Sequence, residues 1–501
     1  MPEPDQIQGY LLDRGGMVIN VKHPAYGAVG DGVANDAPAI NSALEAARKT
    51  GEYGQGLKGA IVFFPPGIYR VNQPLDCNNG QFNLRGSGSH QTVIRGNTGD
   101  RAAIIEMVSG GHSSIESMLL DDLGMPNPSS VGVLYGRDQF AHQSLMMTLK
   151  DVSIRLRNNM NANLVTATDP QGNPYVADGG TVGIYNVGVE AFNVHNCFIL
   201  ADTGCFFGTH DPLSIPVRSA RTAVTDPGYT GPPNPQLTLY RNGTSMTVVV
   251  FSGSNWINGM GRSAVRIDGG ADFIIHAHLN NPISAQSTAG AYAIAITAQT
   301  TNVEYSGSVE GFPSVLYARS VVRGLRLHAY THSIGTVREL PNGVVIPGEP
   351  RVFLDGGALL DSTLNVVPTP DTADATDTET QVEYGRGYLV KSGAAGATVA
   401  GSQIFLRKHR IDLGSGSLHG NVILVETALN DPAYAGTPRL SAATQSGNVV
   451  VSRDRVQVSG PAFGPDTPAA ATQLGSVTRR MEVFDKHGAS LGFVPIYNSI
   501  T

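Results

Sequence analysis

Residues 26–50 read YGAVGDGVANDAPAINSALEAARKT, and residues 62–71 read VFFPPGIYRV. The first stretch predicts a short helix, which Asn35 or Asp36 can cap at its start and Gly51 can end. Its apolar residues recur at helical spacing and form one stripe: Ile40, Ala43, Leu44 and Ala47. The second stretch predicts two short strands joined by a Pro-Pro-Gly turn. One helix followed by strands is therefore the local prediction.

The composition of the whole chain indicates a turn-rich β protein. Its 501 residues include 60 Gly and 30 Pro, while charged residues make up 15% against about 25% in an average protein. A coiled coil, a helical bundle and a disordered chain are all poorly compatible with this balance. The length is ample for a sizeable core.

Charge and cysteine content exclude several classes of partner. The net charge of −7, without a block of Lys or Arg, argues against nucleic-acid binding. Apolar runs such as residues 246–251 are far shorter than the ~18 residues of a membrane span. The first residues lack the basic and apolar regions of a signal peptide, so we expect either no Sec export or a leader already removed. Cys77, Cys197 and Cys205 stand at no metal-site spacing, and we expect buried, reduced thiols.

Short apolar strands recur roughly every 20–30 residues along the chain, which is the repeat length of solenoid proteins. Coils of a solenoid stack and share one core. A Pro-rich stretch at 211–243 predicts a long excursion from the coil. We predict four parts: an N-terminal extension at 1–17, the coil at 18–367, a Thr/Asp-rich linker at 368–381, and a smaller β region at 382–501 that ends in a hairpin.

The quoted stretches, together with LRGSG at 84–88, resemble the opening of the pectate-lyase-like superfamily. This resemblance implies an all-β fold, a right-handed parallel β-helix, in which the helix near the N-terminus caps the first coil and protects its sheet edge. Members include pectate lyases, polygalacturonase-like hydrolases of glycoside hydrolase family 28, fructan-processing transferases and phage tailspikes. A shared fold is weak evidence for a shared reaction.

The acidic, Gly-rich composition and the absence of a leader look most like a phage tailspike. That likeness implies a homotrimer on the virion tail or outside the cell, with phage tail proteins as partners. It would bind and cleave a bacterial surface polysaccharide as a glycoside hydrolase, without a cofactor. A non-catalytic trimeric adhesin or tail structural protein is the first alternative. A polysaccharide lyase or fructan-processing transferase on the same fold is the second.

Glycosidic hydrolysis needs two carboxyl groups. The run HNCFILADTGCFFGTHD at 195–211 resembles the polygalacturonase run in which an Asp pair follows an Asn-Cys strand, and this implies a catalytic role for Asp202. Asp202 can also cap a turn through its backbone. Asp268 falls in the next long coil, where a Gly-Gly turn follows it, so it too fits a structural position.

Three further carboxylates complete the predicted set. Glu310 stands at a strand exit, where burial against Phe312 would favour its neutral, acidic form. Asp211, which follows His210, and Asp272 are reserves, and Asp211 also fits a turn before Pro212.

Substrate binding is predicted for two aromatic residues and two cations. Trp256, the single tryptophan, and Tyr305 can stack on sugar rings, although either fits a core as well. Arg262 and Arg266 flank the Asp268 coil and can neutralise a uronate, or remain solvated at a strand edge.

No metal site is predicted. His276 and His278 lack a third ligand at a recognisable spacing, and the acidic pair Asp121-Asp122 more plausibly ends a strand than binds Ca²⁺.

Overall fold

The computed structural model describes most of the predicted coil. The described residues are 18–50, 60–78, 80–99, 102–108, 111–136, 144–157, 180–208, 217–218, 236–237, 246–260, 262–282, 292–312, 314–332, 338–339, 345–346, 350–368, 388–407, 409–426, 440–452, 456–459, 477–484 and 490–497. Within them, no helix is long and apolar enough to cross a membrane.

One helix and 44 strands make up the described elements. The helix α1 spans Ala37–Thr50. The strands up to the middle of the chain are β1 (Val18–Asn20), β2 (Asp31–Asn35), β3 (Ile61–Phe64), β4 (Gly67–Val71), β5 (Leu75–Asp76), β6 (Asn83–Gly86), β7 (Thr92–Gly96), β8 (Ala103–Val108), β9 (Ser114–Glu116), β10 (Leu119–Asp121), β11 (Val131–Gly136), β12 (Ser144–Lys150), β13 (Ser153–Arg155), β14 (Val182–Val187), β15 (Val189–His195), β16 (Phe198–Ala201), β17 (Thr203–Gly208), β18 (Val217–Arg218), β19 (Gln236–Leu237), β20 (Thr247–Ser252), β21 (Trp256–Gly259) and β22 (Val265–His276).

The later strands are β23 (His278–Asn280), β24 (Tyr292–Glu310), β25 (Ser314–Ala318), β26 (Val321–Arg323), β27 (Arg326–His332), β28 (Arg338–Glu339), β29 (Val345–Ile346), β30 (Val352–Leu354), β31 (Ala358–Leu360), β32 (Thr363–Pro368), β33 (Tyr388–Ser392), β34 (Thr398–Ala400), β35 (Gln403–Leu406), β36 (Arg410–Asp412), β37 (Ser417–His419), β38 (Val422–Val425), β39 (Leu440–Ser441), β40 (Thr444–Ser446), β41 (Asn448–Val451), β42 (Val456–Ser459), β43 (Val477–Phe484) and β44 (Ser490–Tyr497).

Parallel pairing between successive coils arranges these strands in long ladders, which confirms the predicted parallel β-helix. Ladder A contains β1, β3, β6, β9, β12, β15, β20, the second half of β22, the middle of β24, β27, β32, β35, β38 and β41. Ladder B contains β2, β4, β7, β10, β13, β16, β21, β23 and the last residues of β24 and β27. Ladder C contains β5, β8, β11, β14, β17, the start of β22 and of β24, β25, β30, β33, β36 and β39.

The helix α1 covers the first coil, as predicted. Its stripe of Ile40, Ala43, Leu44 and Ala47 is buried in the same hydrophobic cluster as the coil interior. Asp36 precedes the helix, but its side chain bonds to the preceding turn instead of capping the helix N-terminus. Its backbone oxygen accepts the first helical bond from the N–H of Ile40, while its carboxylate accepts from the N–H groups of Val29 and Gly30 and so holds the preceding turn. The Gly-Asp-Gly turn is thereby tied to the helix.

The interior is one continuous apolar core along the described coils. Every second strand residue points inward, because side chains alternate across a strand. Aromatic rings pack edge to face within and between coils, for example Phe192, Phe251 and Phe273 around Phe207, with ring centroids 5.7–6.1 Å apart. All three cysteines are buried and reduced, as predicted.

Along ladder A, a residue with positive φ recurs at the same register in successive coils. One residue per coil has a left-handed conformation, with φ between 53° and 71°, and the row consists of Met146, Ala191, Val248, Asp272, Asn302, Gly324, Asp361, Gly401, Gly420 and Gly447. The flanking residues of these positions pair with each other on adjacent coils. Each coil therefore repeats the bend of the coil beneath it.

The same sheet continues beyond the predicted 368–381 linker. β30 pairs with β33 in parallel, and the ladders run on to Val451, where β42 pairs antiparallel with β41. Residues 369–387 lie outside the described part of the chain, and the division predicted at 368–381 stays a prediction. The C-terminal hairpin, β43 with β44, is antiparallel as predicted and forms a separate sheet.

Candidate functional site

Ladder B presents a row of ring side chains on its outer surface. In register on successive coils lie Phe198, Trp256 and His278, and Tyr330 follows after Ser308. We call Phe198, Trp256, His278 and Tyr330 the ring track. Four steps of about 4.8 Å between neighbouring strands make it about 19 Å long.

Two members of the ring track expose large aromatic faces to solvent. Trp256 is 45% exposed and Tyr330 is 44% exposed, whereas Phe198 is half-buried with the guanidinium of Arg155 5.0 Å from its centroid. The edge of the His278 ring meets Trp256 at a centroid distance of 4.3 Å. Exposed rings on one face provide an apolar surface on which a flat ligand can stack.

A row of amides runs beside the ring track. Asn258 lies two residues after Trp256, and Asn280 two residues after His278, so each pair shares one face of its strand. The indole N–H of Trp256 donates to Asn258 Oδ1 at 2.9 Å, and Asn280 Nδ2 donates to the same oxygen at 3.2 Å. Asn258 Nδ2 in turn donates to the carbonyl of Ile199. These bonds fix the Trp256 ring relative to the coil.

Glu310 is next in the amide row, in register with Asn280. Its Oε2 lies 3.6 Å from Nε2 of His278, and Nδ1 of His278 lies 2.5 Å from the hydroxyl of Ser308. The Glu310 side chain is about half exposed, so the predicted burial against Phe312 is not found; Phe312 itself is buried. The structure therefore brings two predicted residues, Trp256 and Glu310, to one surface, with His278 between them.

The other predicted carboxylates lie elsewhere on the coil. Asp202 is fully buried at the turn between ladders B and C, where its Oδ2 accepts from the backbone N–H of Thr181 at 2.9 Å and its own N–H donates to Thr181 Oγ1. Asp268 is also fully buried, at the far end of ladder C, and accepts from Thr297 Oγ1. Gly208, the register partner of Asp268, comes six residues after Asp202, which separates the two carboxylates by about 20 Å along the strand.

The two reserve carboxylates do not join the ring track. Asp272 belongs to the left-handed row of ladder A, where it accepts from Asn302 Nδ2 at 2.9 Å. Asp211 lies outside the described residues.

The remaining predicted binding residues occupy interior or different positions. Tyr305 lies inside the coil and donates to the backbone oxygens of Ala277 and Ser308, so its ring is not available to stack on a sugar. Burial raises the pKa of Tyr305 well above its usual value. Arg266 is buried on ladder C with its guanidinium 5.6 Å from the ring of Phe206, and Arg262 is half-buried before β22.

Sequence reasoning missed Asn258, Asn280 and Ser308 as site residues, and treated His278 only as half of a metal pair. A signal was present in the chain. The tripeptides Trp-Ile-Asn at 256–258, His-Leu-Asn at 278–280 and Ser-Val-Glu at 308–310 share one pattern, in which an inward apolar residue separates two outward ones. In the described ranges, no group of three or more His, Cys, Asp and Glu side chains is placed to hold a metal ion.

Comparison with known proteins assigns the opening of the chain. Residues 18–119 match the family model described as rhamnogalacturonase A/epimerase, pectate lyase-like. The matched segment makes up 102 of the 501 residues. It contains the Gly-Asp-Gly turn, the capping helix and the first coils, in agreement with the resemblance noted from the sequence.

Individual relatives match either a short segment or the fold alone. Mannuronan C5-epimerase AlgE6 of Azotobacter vinelandii is 40% identical over 85 residues, which span 16% of this chain and only 9% of that protein. The catalytic unit of a GH87 alpha-1,3-glucanase from Streptomyces thermodiastaticus superposes over 87% of this chain and 69% of its own, with 12% identity and a TM-score of 0.47. The gp42 tailspike of Acinetobacter phage vb_AbaP_AS12 covers 89% of this chain and 65% of its own, with 11% identity and a TM-score of 0.42.

The pectate-lyase-like match ends before the ring track begins. Its last residue is 119, and the first residue of the track is Phe198. The family model therefore assigns no role to Trp256, His278 or Glu310.

Proposed function

We propose that this protein binds a bacterial surface polysaccharide lengthwise on the ring track and cleaves it as a glycoside hydrolase. The observation that carries the proposal is the ring track itself, with exposed faces of Trp256 and Tyr330 beside a row of amides. A sugar ring offers an apolar C–H face and a rim of hydroxyls, so it is matched by an aromatic platform with hydrogen-bonding groups at its edge. A length of about 19 Å accommodates several sugar units.

Glu310 is the carboxylate we assign to this chemistry. It is the single Asp or Glu of ladder B between Phe198 and Tyr330 in the described coils, and it stands in the amide row where a glycosidic oxygen would pass. A carboxyl group of this kind can protonate the leaving oxygen. Hydrolysis needs a second carboxylate roughly 5–10 Å away, and Asp211, outside the described residues, stays the candidate for it.

Binding without cleavage is the second candidate function. It is favoured by the number of carboxylates on ladder B, because the described part of that ladder places no second carboxylate beside Glu310. In that case the protein is an adhesin or tail structural protein and the ring track is a binding surface only. As a tailspike-like protein it would be a homotrimer on the phage tail or outside the cell, and light scattering of the purified chain tests the trimer.

The test is product formation on bacterial capsule, lipopolysaccharide, plant and fructan polysaccharides. New reducing ends without absorbance from unsaturated sugars support the hydrolase, whereas absorbance rising in step identifies a lyase. Transfer products without net hydrolysis identify a transferase. Glu310→Gln should abolish cleavage while retaining binding.

The matched control is Glu304→Gln, which changes a carboxylate on the same strand that faces Arg326 on ladder A. We expect it to cleave like the wild type. Binding without any product contradicts the enzyme and leaves the adhesin, and loss of cleavage in the Glu304 variant alone would remove Glu310 from the reaction.

A further inference from the structure

Histidine and serine side chains pair across adjacent coils at three places in the described structure. The imidazole Nδ1 of His195 lies 3.0 Å from the Ser252 hydroxyl, and that of His419 lies 2.7 Å from the Ser446 hydroxyl. The third pair is His278 with Ser308, at 2.5 Å. Recurrence of the pair shows that the stacked coil favours it for structural reasons, so the pair alone indicates no chemistry.

The third pair differs from the other two by a carboxylate behind the imidazole. Of these three histidines, His278 is the one with a carboxylate oxygen within 4 Å, Oε2 of Glu310 at 3.6 Å from its Nε2. A hydroxyl, an imidazole and a carboxylate in this order are the components that activate a serine nucleophile. We propose that Ser308, His278 and Glu310 form an ester-hydrolysing site that removes acyl groups from a carbohydrate.

The positions of Ser308 and Glu310 determine which ring nitrogen of His278 acts as the base and which carries the proton. With Nε2–H directed at Glu310, Nδ1 of His278 is left as the acceptor that faces Ser308. Glu310 thus holds the ring in one tautomer and stabilises the imidazolium that forms during reaction. Contact of the His278 ring with the face or edge of Trp256 restricts its rotation further. A separation of 3.6 Å is long for a hydrogen bond, and such contacts commonly shorten when substrate binds.

The reaction balances as an ordinary ester hydrolysis. Ser308 Oγ bonds to the acyl carbon while its proton passes to His278 Nδ1, and the sugar oxygen then leaves with that proton. Water attacks the acyl-serine, gives a proton to His278, and releases the carboxylic acid as Ser308 recovers its proton. Asn280 Nδ2 donates one N–H to Asn258, so its second N–H is free to bind the acyl oxygen as that oxygen becomes negative.

The position of the site suggests the substrate. Ser308 lies within the ring track, between His278 and Tyr330, and is half-buried. A polysaccharide lying on the track would bring an O-acetyl or similar small acyl substituent next to the hydroxyl. The choice of substrate therefore rests on the proposed glycan binding, whereas the reactivity of the serine does not.

The experiment measures the serine first and the glycan second. Hydrolysis of p-nitrophenyl acetate and labelling by a fluorophosphonate probe, with the labelled peptide located by mass spectrometry, need no glycan. We expect labelling at Ser308, and a loss of hydrolysis of at least about 100-fold in Ser308→Ala and His278→Asn. Glu310→Gln should lose roughly tenfold or more, because a neutral amide cannot stabilise the imidazolium.

The other two pairs supply the controls. Ser252→Ala and Ser446→Ala remove hydroxyls that face imidazoles without a described carboxylate, and both variants should hydrolyse and label like the wild type. Absence of labelling in the wild-type protein, or an equal loss in either control, overturns the proposal.

Acetate release from an O-acetylated polysaccharide then tests the substrate. Trp256→Ala should lower this release by a larger factor than it lowers p-nitrophenyl acetate hydrolysis, since it removes a glycan-binding ring but only one contact of the His278 ring. If Ser308 labels but no polysaccharide binds, the proposed function fails and the ester chemistry stands. If a polysaccharide binds or is cleaved but Ser308 does not react, the proposed function stands and the ester chemistry fails.

Discussion

Asp122 offers a quantitative test of how burial acts in this coil. Only 2% of the residue is exposed, and its Oδ1 accepts from the backbone N–H of Arg157 at 3.0 Å. The guanidinium Nε of Arg157 is 3.8 Å from Oδ2. Burial raises the pKa of Asp122 from 3.8 to about 6, against the opposing effect of the Arg157 N–H. The protonated carboxyl group is therefore the form that the folded state favours.

The sign of the pH dependence follows directly. The stability contributed by the protonated Asp122 is fully present below its unfolded pKa of 3.8 and is lost as pH rises through about 6. A shift of about two pKa units corresponds to about 3 kcal/mol. In Asp122→Asn the side chain stays neutral, and its oxygen can still accept from Arg157. We expect the free energy of unfolding of this variant, minus that of the wild type, to rise by about 2 kcal/mol between pH 4 and pH 7, because a small part of the effect is already lost by pH 4.

Guanidinium chloride unfolding, followed by far-ultraviolet circular dichroism at several pH values from 4 to 7, measures this difference. Asp121→Asn is the matched control, since Arg95 donates to both oxygens of Asp121 at 2.8 and 2.9 Å. Breaking that pair should destabilise the protein by about 3 kcal/mol at pH 7, the opposite sign from its neighbour. A difference for Asp122→Asn that is constant or falls with pH would refute the assignment of burial as the dominant effect.

Three further substitutions test the bend at Gly307 between ladders A and B, the row of left-handed residues on ladder A, and the ring track. Gly307→Ala would place a methyl group 2.0 Å from the backbone oxygen of Ala277. We therefore expect a lower melting temperature, a loss of about 3 kcal/mol or more in the free energy of unfolding, and displacement of the adjacent His278. An unchanged melting temperature contradicts the close approach. Val248→Asn should stabilise the chain by about 1 kcal/mol in the same unfolding assay, because a β-branched residue at φ 56° is strained and Asn tolerates that conformation. Trp256→Ala should weaken polysaccharide binding by about 2 kcal/mol, or roughly 30-fold in Kd by calorimetry, whereas Trp256→Phe should retain most of it; equal losses would show that the ring face does not carry the binding.

Much of the fold was predictable because it depends on local patterns. The helix α1 has its stripe and its turn within one segment, and each strand has its own inward-facing apolar residues. The boundary at 368–381 rests on a change of composition, which does not determine whether strands on either side pair; β30 and β33 do.

The site was less accessible because it depends on register between distant segments. Phe198 meets Trp256, and His278 meets Ser308, across loops whose lengths the sequence does not relate to one another. Turn-forming Asp residues raised a second difficulty. An Asp at the position of Asp202 can serve either in catalysis or as the cap of a turn, and the sequence does not distinguish these roles. Its hydrogen bonds with Thr181 show that it holds a turn in the fold.

The corner between ladders A and B differs from the other connections in its narrow range of lengths. From β3 to β23 it contains at most the five residues 87–91, and in β24 and β27 the strand runs through without a break. The connection from ladder C to ladder A, by contrast, is a single residue between β14 and β15 and extends over 209–246 between β17 and β20. The short corner thus fixes where each strand of ladder B begins relative to ladder A, so that the ring side chains of successive coils come into register.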